Sequence, residues 1–74
     1  MKTYVEVFVS ADGERASVIT ERLLDLGLKS AIGENDFVYL WKEDVVLAEI
    51  LRFVDRIQSK LKGTGSIMKF RTIR

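Results

Sequence analysis

From Phe37 to Trp41 the chain reads Phe-Val-Tyr-Leu-Trp. Side chains along a strand alternate between its two faces, so Phe37, Tyr39 and Trp41 share one side and Val38 and Leu40 the other. Both sides are apolar. A segment of this kind cannot line the rim of a sheet with one face in water, so it predicts a central strand. Helices of the same chain can cover one face, and something else must cover the other.

At 74 residues the chain fits one domain, 1–74, whose core is small enough that self-association is a common remedy. No apolar run approaches the roughly 20 residues that span a bilayer. Met1-Lys2 leads straight into a strand pattern whose Glu6 interrupts any signal-peptide h-region, and the expected compartment is cytoplasmic. Cysteine and histidine are both absent. That removes disulfides, thiolate chemistry, the usual zinc sites and imidazole acid-base catalysis. The expectation is a non-enzymatic protein with no catalytic residues, cofactor or metal.

The charge is uneven along the chain. Residues 1–51 hold ten acidic and five basic side chains, and residues 52–74 hold seven basic and one acidic. Acidic elements packed beside basic ones would account for this, as would a basic binding surface.

Taken in order, Tyr4 to Ser10 alternates, with Val5, Val7 and Val9 toward the core and Tyr4, Glu6 and Phe8 outward. Asp12 is the expected N-cap of a helix over Glu14 to Leu26, striped by Ala16, Ile19, Leu23 and Leu26. Gly27 ends it in a left-handed conformation, with Leu28 placed for the hydrophobic contact of a Schellman motif. A short strand, Lys29 to Ile32, a turn over 33–36 and the strand Phe37 to Lys42 follow. Asp44 is the expected cap of a second helix of about 18 residues, buried through Val46, Ile50, Phe53, Val54, Ile57 and Leu61. Gly63-Thr64-Gly65 leads into a last strand, Ser66 to Ile73. There Met68 and Phe70 oppose Ile67, Lys69, Arg71 and Ile73.

The order β-α-β-β-α-β is the ferredoxin-like arrangement, an α+β two-layer sandwich. Right-handed crossovers give an antiparallel sheet of order 4-1-3-2 with both helices on one face. The uncovered face is then expected to hold Tyr4, Glu6 and Phe8, Phe37, Tyr39 and Trp41, and Lys69 and Arg71. Five of the seven aromatic residues would lie there. Such a patch would reach or exceed the roughly 300–600 Å² that is the largest on a typical monomer. Two uses follow: sheet-to-sheet association of identical chains, or a platform for single-stranded RNA that stacks bases on the aromatics beside Lys69 and Arg71. Against RNA, Glu34 to Leu40 lacks the basic-Gly-aromatic opening of RNP1, and Glu6 sets a carboxylate in the platform.

Three weaker constellations remain. Lys62 with Gly63 to Ser66 has the residue types of a phosphate loop, but follows a helix instead of opening one, which is the wrong pole for an anion. Arg52, Arg56 and Lys60 recur at helical spacing and form a candidate anion contact or a solvated face. Asp12, Glu14, Glu34 and Asp36 fall at one end of the deduced sheet, without the spacing of a calcium loop.

The run Val7-Phe8-Val9-Ser10, followed by Ala16, Ile19, Leu23, Leu28 and Ala31 and then Tyr39 and Trp41, resembles the first part of the CutA family over about half the chain. That resemblance implies a cytoplasmic trimer linked to divalent-cation tolerance. The element order, with Asp12-Gly13 before the first helix, is also similar to ACT domains, which implies a regulatory module that pairs and binds a small effector.

Overall fold

The computed structural model describes residues 1–31 and 36–74. Its elements are β1 (Lys2–Phe8), α1 (Ala16–Asp25), β2 (Lys29–Ser30), β3 (Phe37–Leu40), α2 (Leu47–Leu61) and β4 (Ile67–Ile73). The four strands form one antiparallel sheet in the order β2-β3-β1-β4, the expected 4-1-3-2 read from the other end. The second strand is shorter than the sequence predicts, and the turn expected at 33–36 lies mostly outside the described residues.

The core forms where the helix stripes meet one face of the sheet. Val5 and Phe37 pack with Ile19 and Leu23 of α1, Leu28, and Phe53, Ile57 and Leu61 of α2. Register then fixes the faces, because directly opposed residues point the same way. Thr3 lies opposite Tyr39 and Val5 opposite Phe37, while Tyr4 lies opposite Val38 and Lys2 opposite Leu40. Phe37, Tyr39 and Trp41 therefore turn toward the helices, which corrects their expected place on the uncovered face. The Tyr39 ring lies 4.3 Å from that of Phe53, and Trp41 meets Phe53 edge-on at 5.5 Å. The reason is volume. β1 offers the core only Thr3, Val5 and Val7, and close packing requires the bulk to come from the neighbouring strand.

Trp41 also carries a polar tip, and the inner face gives it a partner. Its Nε1–H donates to the Thr3 hydroxyl at 2.8 Å, and that hydroxyl shares a second hydrogen bond of 2.8 Å with Thr72 of β4. The fully buried Thr3 is thus satisfied from both sides.

Both expected N-caps are also corrected. Asp12 sits in a turn closed by Gly13 N–H donating to the Ser10 carbonyl, and the next amide, Glu14 N–H, donates to the Thr64 carbonyl at 3.0 Å. With those amides already paired, α1 starts later, after an extended Arg15 and with no side-chain cap. Residues 41–45 run along the start of β1, with Trp41 N–H on the Met1 carbonyl and Val45 N–H on the Met1 sulfur. α2 consequently begins beyond Asp44, after an extended Val46, which is exposed. Asp44 instead lies 3.9 Å from the Arg74 guanidinium.

The helix ends follow expectation. Gly27 has φ +95°, Leu28 N–H donates to Leu23 and Gly27 N–H to Leu24, the paired bonds of a Schellman motif. After α2, Lys62 (φ −60°, ψ 132°) and Gly63 (φ +82°) form a type II turn closed by Thr64 N–H on the Leu61 carbonyl. The Thr64 hydroxyl bonds Leu61 and Ser66, and the residue is buried.

Candidate functional site: the open face of the sheet

The face away from the helices is built row by row from the register. Leu40, Lys2 and Ile73 make the first row, Lys29, Val38, Tyr4 and Arg71 the second, Glu6 and Lys69 the third, and Phe8 and Ile67 the last. Ile67 is 69% exposed and Phe8 53%, and Leu40 and Ile73 are each 46% exposed. Tyr4, Glu6 and Val38 are half-buried in the middle. Leaving β-branched and aromatic side chains uncovered in this number is unfavourable by roughly 25 cal/mol for each Å² of apolar surface left in water.

Of the predicted site residues, the structure brings Tyr4, Glu6, Phe8, Lys69 and Arg71 together on this face. Glu6 lies directly opposite Lys69, as the alternation of the two strands requires. Arg71, opposite Tyr4, holds its guanidinium carbon 5.7 Å from the centre of that ring. Phe37, Tyr39 and Trp41 are absent from the face, so its aromatic content falls to Tyr4 and Phe8. Val38, Leu40, Ile67 and Ile73 take their place. Ile67 and Ile73 were legible as partners of Lys69 and Arg71 by alternation alone, while Val38 and Leu40 required the choice of side that β3 hides.

Electrostatically the face is basic. Among the register-paired residues of this face four are cations, Lys2, Lys29, Lys69 and Arg71, all exposed, and one, Glu6 opposite Lys69, is a carboxylate. The cations of the two outer strands flank a middle strip of Tyr4, Val38, Leu40 and Phe8.

The other constellations resolve into structural contacts. Arg52, Arg56 and Lys60 are exposed on α2, and the Lys60 carbonyl accepts a hydrogen bond from Arg22, which meets the negative end of that helix. Asp36 accepts Val7 N–H at 2.8 Å and Glu14 accepts Arg15 N–H at 3.0 Å, whereas Glu34 lies outside the described residues. Among the described residues no cluster of three or more His, Cys, Asp or Glu side chains is placed to hold a metal ion. No helix among them is long and apolar enough to cross a membrane.

No protein-family model matches the chain, and neither curated proteins nor solved structures show a significant match to it.

Proposed function

We propose that this is a ferredoxin-like interaction module without enzymatic activity, which associates with a second copy of itself through the open face of the sheet. The observation that carries this reading is the set of six apolar side chains, Tyr4, Phe8, Val38, Leu40, Ile67 and Ile73, on a face that no helix covers. β1 and β4 have seven residues each, and four strands roughly 4.8 Å apart at roughly 3.3 Å per residue give a face of at most roughly 450 Å² per copy, so a face-to-face pair falls at the small end of protein interfaces. A face-to-face dimer would use most of it, with the apolar strip at the centre and the lysine and arginine stems reaching outward at the rim.

Sedimentation of the wild-type chain from micromolar to millimolar concentration tests the reading, with dimer expected. Phe8→Glu combined with Leu40→Glu should give a monomer of unchanged circular dichroism. A wild-type chain that stays monomeric throughout overturns it. Single-stranded RNA is the competing occupant, supported by Arg71 over Tyr4 and by Phe8 on the same strand, but the inward turn of Phe37, Tyr39 and Trp41 removes the stacking surface from β3.

A further inference from the structure

β4 closes the sheet at one side. All seven of its residues follow one unbroken register against β1, and among the described residues it pairs with no other strand. Its outer row of N–H and C=O groups is therefore open. Edges are commonly blunted by proline, by a bulge, by brevity or by charged side chains, and of these β4 has only the charges, Lys69 and Arg71. Here the chain contains no proline, the register shows no bulge, and no residue of the strand has a positive φ.

Charge decides which strand can add to this edge. In a two-fold antiparallel pairing of β4 with its own copy, opposed residues must share a face. Centring the pair on Phe70 sets Lys69 opposite Arg71 of the copy, and the neighbouring registers set Lys69 or Arg71 opposite itself. Like charges directly opposed destabilise a ladder, so self-pairing is selected against. An acidic strand meets the opposite situation.

The helix side adds a second requirement. Beside the start of β4 lies a cleft of about 290 Å³, lined by Gln58, Leu61 and Lys62 of the α2 end, by the connecting turn and by Met68. Leu61 is buried and Met68 half-buried, and Phe70, further along the same side, is 38% exposed. An incoming strand would present alternate side chains beside Met68 and Phe70 on this side and the others to Lys69 and Arg71.

We propose that β4 is a strand-addition site for an extended protein segment in which acidic and aliphatic residues alternate. The site is the free edge of β4 and shares Lys69 and Arg71 with the rim of the open face, but the proposal does not depend on self-association.

The probe is a capped peptide, Glu-Val-Glu-Val-Glu-Val-Glu, titrated into the full chain with backbone amide resonances and amide exchange as readouts. The expected result is saturable binding with new protection at alternate amides of β4, at least tenfold tighter than that of an isomer with its glutamates and valines in blocks. Two N-methylated versions, each blocking one of the two alternating sets of peptide amides, separate strand addition from simple charge attraction. One version should bind like the parent and the other should lose binding at least tenfold. Lys69→Glu with Arg71→Glu, both exposed positions, should weaken the parent peptide by at least tenfold. Equal binding of the block isomer, equal behaviour of the two N-methylated peptides, or no binding at millimolar peptide overturns the proposal.

Discussion

Two glycines at one end of the molecule are required for different reasons. A Cβ on Gly13 would lie 2.2 Å from the Thr64 carbonyl oxygen, a backbone atom that cannot move without pulling the α2–β4 turn away from Glu14 N–H. A Cβ on Gly63 would meet nothing, yet Gly63 has φ +82°. Gly13→Ala should therefore lower stability by roughly 1–3 kcal/mol as an overpacking defect. Gly63→Ala should lower it by roughly 1–2 kcal/mol as a backbone defect. Asparagine separates the two causes, since it tolerates the left-handed region: Gly63→Asn should recover much of the loss, and Gly13→Asn should recover none. Urea midpoints followed by Trp41 fluorescence measure all four, and a recovery at position 13 would refute the steric account.

At the scale of elements, β3 holds both what the sequence discloses and what it conceals. Alternation tells which residues of Phe37 to Trp41 stand together, but with both sides apolar it does not say which set faces the helices. For β1 and β4 a charge breaks the tie, Glu6 on one and Lys69 and Arg71 on the other, and those faces are readable from the sequence. The missing information in β3 was side-chain volume: Thr3, Val5 and Val7 are too small to fill the space under Phe53 without Tyr39 and Trp41. The helix starts differ from expectation for a related reason, since the Glu14 amide and the chain from Trp41 to Val45 are held by Thr64 and Met1, partners distant in sequence. Neighbouring substitutions on β3 should accordingly behave in opposite ways. Tyr39→Glu places a carboxylate against Phe53 and should abolish the cooperative thermal transition, whereas Leu40→Glu, on the open face, should keep a cooperative transition, lowered only by the loss of association. Equal damage from both would return Tyr39 to the outer face. The Glu6–Lys69 pair supports the β1–β4 register more gently, and Glu6→Ala should cost about 0.2–1 kcal/mol in denaturant titration.

For the whole molecule, the four cations of the open face give its two candidate occupants opposite responses to salt. Bringing two such faces together crowds like charge at the rim, so raising ionic strength should strengthen the dimer. Binding of single-stranded RNA releases counterions and should weaken as salt rises. Sedimentation of the chain alone, and titration with mixed-sequence single-stranded RNA, each at about 50 and 500 mM salt, therefore distinguish the two. Dimerisation that falls with salt would show that the basic residues attract the second copy instead of repelling it.

The pairing of β1 with β4 also bears on how the protein is made. β1 is translated before β3 and β4 and ends up between them, yet its longer ladder, from Lys2 opposite Ile73 to Phe8 opposite Ile67, joins segments far apart in the chain. Contacts so distant in sequence close late and slow the search for the native state. On the ribosome, then, β1 must wait with one side bare until β4 has emerged, and in that interval its Val5 and Val7 lack the packing that completes the core. The nascent chain is most open to capture by chaperones, or to mispairing with a neighbouring nascent chain, until β4 is available to pair.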